Sequence, residues 1–272
     1  MALRHAVHEH TDSGLAELVP DQSRPGSWML YVNDTPQSYV DLDDPRYLEF
    51  EYVRRIGHLI DLAFPEGQPV RALHLGGGAM TLPRYIAVTR PRSSQLVAEA
   101  DATLTALVRE HLPMPAARYG RVRVRAGDAR EILESVRPGS YDLVISDVYD
   151  GPRTPVHLTT AEYVAATARA LRPGGVYAVN VADGPPLRNL RGQIATLRSA
   201  YKNCCVIAEA GVLKGRRLAN LVLAGSQREL PYGELRRRCA GDPFPAQVME
   251  GTELERFTGG APVVTDNSPT NW

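Results

Sequence analysis

Four carboxylates in this 272-residue chain stand where short apolar runs end: Glu99, Asp128, Asp147 and Asp183. The most informative of these ends is Asp147-Val148-Tyr149-Asp150-Gly151-Pro152, which puts two carboxylates three residues apart with Tyr149 between them. Such a pair suits an amine nucleophile. A protonated amine cannot attack carbon, so one carboxylate must take its proton while the second can hold a distant ammonium. An Asp-, Gly- and Pro-rich stretch can also be a plain surface turn, but its position directly after a strand favours chemistry. Asp147, Asp150 and Tyr149 are the catalytic candidates.

The group they would act on is suggested upstream. The run 70–75 breaks into Gly76-Gly77-Gly78, a turn whose glycines permit backbone angles forbidden to other residues and let the chain approach a ligand closely. A second apolar run ends at Glu99, 23 residues after Gly76, which is where a nucleoside-binding α/β domain places the acid that grips ribose hydroxyls. The dinucleotide pattern G-x-G-x-x-G would need glycine at position 81, and the residue is Thr81. A single nucleoside such as S-adenosylmethionine fits better than NAD or FAD. Asp128, in Gly127-Asp128-Ala129, can accept from an adenine amino group while the next N–H meets a ring nitrogen. It can equally cap the following helix. Glu99 and Asp101 have the same capping alternative.

These residues need a scaffold that gathers strand ends. From residue 70 onward apolar runs alternate with helical segments: strands at 70–75, 95–99, 121–126, 141–146, 175–181, 203–209 and 218–224, and helices at 80–89, 101–112, 129–136, 159–171 and 187–201. Runs without in-out alternation, separated by helices, predict a mostly parallel sheet covered on both faces. The last two strands are linked only by 211–217, too short for a crossover helix, so they should pair antiparallel. The expected fold is α/β, a seven-stranded methyltransferase-like (Rossmann-like) sheet comprising residues 63–272. Ahead of it, 28–32 and 37–40 read as a small β-hairpin around Asn33-Asp34-Thr35-Pro36. A helix at 46–60 with Tyr52, Ile56 and Leu59 on one stripe then completes a module over 28–62. Residues 1–27 show little periodicity and are expected to be a flexible lead-in.

Thirty-one basic residues balance 31 acidic ones, so no overall field draws nucleic acid or a membrane surface. Cys204, Cys205 and Cys239 match no zinc spacing and no disulfide framework. With no secretory or membrane-spanning pattern in the sequence, the expected location is the cytoplasm, and no metal is expected. His74 falls inside a buried strand and reads as a core histidine; His157 follows the acidic loop and could shape the pocket.

In order along the chain come Gln37, the triple-glycine turn, Glu99, Gly127-Asp128-Ala129, Asp147-x-x-Asp150-x-Pro152, Leu158, Arg172-Pro173-Gly174-Gly175 and Thr265-Asp266-Asn267-Ser268-Pro269. That order resembles the spermidine synthase family of polyamine aminopropyltransferases, from about residue 28 to the C-terminus. The resemblance implies transfer of an aminopropyl group from decarboxylated S-adenosylmethionine to a di- or polyamine such as putrescine, with release of methylthioadenosine, and it suggests a homodimer. By similarity Asp147 would be the base and Asp150 would hold the far amine. Glu99 would bind the ribose and Asp128 with Ala129 the adenine, while Gly76, Gly77, Gly78 and Gln37 would contact the nucleoside. Catalysis would be mostly positioning, because the sulfonium leaving group is already activated.

One departure bears on the donor. After the glycines the family usually carries Asp-Gly, the Asp holding the donor's ammonium; here the residues are Ala79-Met80. The family's Tyr before the first sheet strand has only a loose counterpart in Tyr52 or Tyr47. Two further readings therefore stay open: a methyltransferase using intact S-adenosylmethionine, and a non-catalytic homologue that binds nucleoside or polyamine.

Overall fold

The computed structural model describes residues 5–151 and 153–268; Pro152, Pro269 and residues 1–4, all parts of stretches singled out above, lie outside the described residues. The described residues form two sheets. The first is antiparallel, with strands in chain order: β1 (Val7–Thr11), β2 (Gly14–Pro20), β3 (Ser27–Val32) and β4 (Thr35–Asp41). Its last two strands are the expected hairpin, turning at Asn33 and Asp34, both in the left-handed region. Its first two correct the reading of 1–27 as a flexible lead-in. The fully buried residues of β2 are only Ala16 and Leu18, and β1 is mostly exposed, so the apolar periodicity that would announce a strand is too thin to see.

The helix expected at 46–60 starts later, as α1 (Glu51–Ala63). Asp41 forms a turn ahead of it: its carboxylate accepts from the Asp43 and Asp44 amides at 2.9 and 2.8 Å. Then follow β5 (Arg71–Leu75), α2 (Thr81–Thr89), β6 (Ser93–Glu99), α3 (Ala102–His111), β7 (Gly120–Ala126), α4 (Ala129–Ser135), β8 (Tyr141–Ser146), α5 (Ala161–Ala170), β9 (Leu171–Asp183) and α6 (Arg188–Ala200). The chain continues through β10 (Asn203–Ala208), the short α7 (Ala210–Leu213), β11 (Ala219–Ser226), α8 (Tyr232–Ala240), β12 (Gln247–Glu250) and α9 (Gly251–Thr258). The sheet has eight strands in the order β12-β10-β11-β9-β8-β5-β6-β7. Five are parallel and β10 pairs antiparallel with β11, as expected. The count of seven is corrected by β12, an edge strand of four residues whose brief apolar pair, Val248 and Met249, is too short to read as a strand.

Alternate residues of the central strands feed two cores. Leu73, Leu75 and Val144 face α4, α5 and α6; Ala72, Leu143 and Ile145 face α1 and α2. A third cluster joins Leu18, Trp28, Leu30 and Val40 of the small sheet to Ala79, Met80, Leu104 and Val108. Each fully buried leucine in these cores contributes about 1.5–3 kcal/mol relative to exposure. The small sheet is thus packed on the segment that follows the triple glycine. Strand order reverses between β5 and β8, and in an open parallel sheet such a switch point opens the crevice where ligands bind.

Candidate active site

The two loops that leave this switch point are locked together. Gly76 has φ +95°, and a Cβ there would stand 2.1 Å from the Asp147 carbonyl oxygen, while the Asp147 amide donates to Leu75 O at 2.8 Å. Only glycine fits. The amides of Gly77 and Gly78 donate to Glu99 Oε2 at 2.8 and 3.2 Å, and the Asp101 amide donates to Glu99 Oε1 at 3.0 Å. Glu99 is thereby fixed against the glycine turn at the crevice. From the other side Ser38 Oγ accepts from the Ala79 amide at 3.1 Å, and Thr81 Oγ1 donates to Tyr39 O at 3.0 Å. The small sheet therefore roofs the turn.

Asp147 follows the last residue of β8. Its Oδ1 accepts from Asn180 Nδ2 at 2.9 Å and its Oδ2 from the Tyr52 hydroxyl at 3.0 Å. Burial pushes its pKa above the usual carboxylate value, and the two donors pull it partly back. The Tyr52 hydroxyl is raised well above its ordinary value by burial and then by the Asp147 charge, and Tyr149 is raised for the same two reasons. Asn180 is buried in β9, and its Oδ1 takes no hydrogen bond from any described residue. Asp150 is exposed, in a tight turn closed by Asp150 and Arg153 backbone hydrogen bonds at 2.8 and 3.3 Å.

Asp147 shares a cavity of about 30 Å³ with Gln37, Ser38, Tyr52, His74, Gly76, Gly77 and Thr81. That is space for a water or an amino group, so a nucleoside must lie outside it. A larger groove of about 610 Å³, lined by Leu62, Gly174, Arg228 and Tyr232, is at the opposite end of the strands and carries none of Glu99, Asp128, Asp147 and Asp183.

Asp128 does cap a helix, as the alternative reading allowed. It accepts from the Arg130 and Glu131 amides at 2.8 and 3.1 Å. Its second oxygen lies 2.8 Å from His157 Nε2. Burial works to raise its pKa, but the His157 contact and the amides outweigh that and hold it below the usual range. Ala129 is buried behind it, and the Gly127 amide donates to Glu99 O at 3.0 Å, so this turn adjoins the ribose candidate. Asp101 is likewise a cap, accepting from the Leu104 amide at 2.7 Å and the Ser13 amide at 2.8 Å. Asp183 accepts from the Gly184 and Leu190 amides at 2.8 and 2.7 Å.

The structure brings Gln37, Gly76, Gly77 and Asp147 to one cavity, ties Gly78 and Glu99 to each other in the glycine turn beside it, and leaves Asp128 and Ala129 on the neighbouring strand end. Sequence reasoning missed Asn180, hidden in an apolar run, and placed Tyr52 on a core stripe, offering it otherwise only as a loose counterpart of the family's tyrosine. A lone amide inside an otherwise apolar strand that ends at the crevice was the available signal.

The spermine/spermidine synthase domain family matches residues 49–207. The chain belongs to the spermine/spermidine synthase family. A polyamine aminopropyltransferase from Vibrio vulnificus is 28% identical over 165 residues, which make up 60% of this chain and 52% of that protein. One from Chromobacterium violaceum is 27% identical over 155 residues, 54% of this chain and 55% of that protein. The chain spans about half the length of these curated relatives. The crystal structure of a probable spermidine synthase from Corynebacterium glutamicum superposes with a TM-score of 0.90 at 34% identity, covering 99% of each chain. The spermidine synthase of Thermotoga maritima shares the fold, with a TM-score of 0.61 at 14% identity, over 96% of this chain and 84% of that one. No helix among the described residues is long and apolar enough to cross a membrane.

Proposed function

We propose that this chain transfers an aminopropyl group from decarboxylated S-adenosylmethionine to a di- or polyamine. The observation that carries the proposal is the Asp147 carboxylate, held by Tyr52 and Asn180 beside the glycine turn to which Glu99 is bonded. A nucleoside laid on that turn puts its sulfonium near Asp147. The amine nitrogen attacks the propyl carbon bonded to sulfur, the C–S bond breaks with its electron pair going to sulfur, and neutral methylthioadenosine leaves. Before the attack Asp147 takes a proton from the incoming ammonium and frees the nitrogen lone pair, and the product keeps the positive charge on its new ammonium. A carboxylate whose pKa is raised by burial binds that proton more readily than an exposed one. Asn180 Oδ1, buried with no donor among the described residues, offers an acceptor for a second N–H of the amine.

Glu99 would take the ribose hydroxyls in charge-assisted pairs, and Asp128 with the Ala129 amide would take the adenine. Gly78 and Gln37 would contact the nucleoside from the turn and the small sheet, Tyr149 would wall the site, and exposed Asp150 would meet the far amine. A homodimer in the cytoplasm is part of the same reading.

Ala79 supports a second reading, a methyltransferase taking intact S-adenosylmethionine, because no carboxylate stands at that position for a donor ammonium. Incubating the protein with each donor and a panel of amines separates the two. Methylthioadenosine with an aminopropylated amine supports transfer of the propylamine; S-adenosylhomocysteine with a methylated product overturns it. Binding of methylthioadenosine with no turnover on any amine would make the chain a non-catalytic homologue.

A further inference from the structure

Ala79 is buried in one cluster with Met80, Trp28 and Leu104, so its side chain offers a donor amine only a methyl group. In the cavity next to Asp147, Ser38 and Thr81 are already bonded to Ala79 and Tyr39, Gln37 comes from the small sheet, and the imidazole that lines it from within the large sheet is His74. On the face of the sheet covered by α1 and α2, β5 carries Ala72, His74 and then Gly76, and Asp147 stands across from Gly76 on the adjoining strand. His74 is therefore two residues deeper than Asp147 along the sheet, about 7 Å. That is the scale of a short alkyl chain reaching inward from a sulfur near Asp147.

The orientation of the imidazole is fixed by its neighbour. Gln95 Nε2 donates to Pro83 O at 2.9 Å, and a carbonyl can only accept, so Gln95 Oε1 is the atom that faces His74 Nε2 at 2.9 Å. His74 Nε2 must carry the hydrogen, which leaves Nδ1 as a lone pair. No described residue donates to it. A core histidine whose only role is packing would have both nitrogens satisfied; this one has a spare acceptor and lines a cavity sized for an amino group.

We propose that His74 Nδ1 accepts the terminal N–H of the donor's propyl chain, taking the place of the carboxylate missing at position 79. This rests on the aminopropyl-transfer reading of the same site. Burial also holds the imidazole pKa down to about 4, so the lone pair is available throughout the neutral range. The arrangement makes the inner end of the donor site uncharged, and the subsite favours a chain ending in an amine over one that carries a carboxylate beside it.

The test is calorimetric, on the full chain, with two probes: methylthioadenosine, which has no amine tail, and decarboxylated S-adenosylmethionine. In the wild type the tailed nucleoside should bind more tightly. His74→Leu should cut that preference at least tenfold while methylthioadenosine binding stays within twofold, and His74→Gln, which keeps an acceptor, should restore most of it. Thermal melts of both variants identify any that fail to fold, and His74→Gln then decides the matter alone: loss of preference there with intact methylthioadenosine binding overturns the assignment. Equal weakening of both probes by His74→Leu, or no change in their ratio, also overturns it, even if the wild type turns over. A wild type that binds neither nucleoside overturns this inference together with the function it rests on.

Discussion

The Tyr52 hydroxyl donates to Asp147 Oδ2 at 3.0 Å across 95 residues of sequence, joining α1 to the end of β8. A hydrogen bond to the charged form stabilises it, so this contact lowers a pKa that burial raises. Tyr52→Phe removes the donor and leaves the ring. The Asp147 pKa must then rise further, and because the base works only when ionised, the acid limb of the kcat/KM profile should move to higher pH. A pH–rate profile of the variant checks this; an unmoved limb rejects Asp147 as the group that titrates.

Asp147→Asn should lower turnover by about 10²–10⁴-fold, the range for loss of a positioned general base, with methylthioadenosine binding nearly unchanged. Stability should respond the other way. With its folded pKa above the unfolded one, ionised Asp147 costs stability: the cost is absent at low pH, where the carboxyl is protonated in both states, and grows as pH rises from the unfolded value of 3.8 through the raised folded value. The variant should melt no lower than the wild type at pH 7, measured by calorimetry. Retained turnover would remove Asp147 from the mechanism.

How much of this was legible follows from which residues advertise themselves. The glycine turn, Glu99 and Asp147 are polar interruptions of apolar runs, and the strand-helix alternation fixed where they sit. Tyr52 and Asn180 do not stand out, since a tyrosine on a helical stripe and an amide in a buried strand look like packing until tertiary contacts bring them to the carboxylate. The strands β1 and β2 were unreadable for a different reason: β1 is mostly exposed and β2 buries only two side chains completely. Asp128 shows the limit of chemistry read from type alone, because capping and ligand binding ask for the same residue in the same turn.

Gly76→Ala places a methyl carbon 2.1 Å from the Asp147 carbonyl oxygen at a φ of +95°. Both the clash and the backbone angle oppose it, so the substitution should destabilise by more than about 1 kcal/mol. Nucleoside binding should fall as well, because relief requires the two loops to part. Thermal melting and calorimetry test the pair of effects. A variant that melts like the wild type would show that the loops are not locked.

Arg130 grips Asp266 with two hydrogen bonds, at 2.8 and 2.7 Å, tying the C-terminal segment to the first turn of α4. The Arg130 contact, with help from Thr160, holds the Asp266 pKa down to about 2. A depressed carboxylate contributes stability above its unfolded pKa and loses it as pH falls through the folded one. Asp266 is partly exposed, so Arg130→Met should cost at most about 1 kcal/mol at pH 7. The gap between variant and wild type should close between pH 3.8 and about 2. Hydrogen exchange at 265–268 should rise in the variant; unchanged exchange would mean that the Asp266 amide's bond to Glu162 Oε2 at 3.0 Å and the Thr265 amide's bond to Ser268 Oγ at 2.8 Å suffice to hold the segment.

Ser38 and Tyr39 reach down from the four-stranded sheet to grasp Ala79 and Thr81. Anyone trimming this molecule to a minimal catalyst would find no dispensable front end: cutting away the first forty residues would strip the lining from one side of the reaction chamber and bare the greasy underside of the remaining half. New substrate ranges are better sought by exchanging the side chains of that canopy than by discarding it.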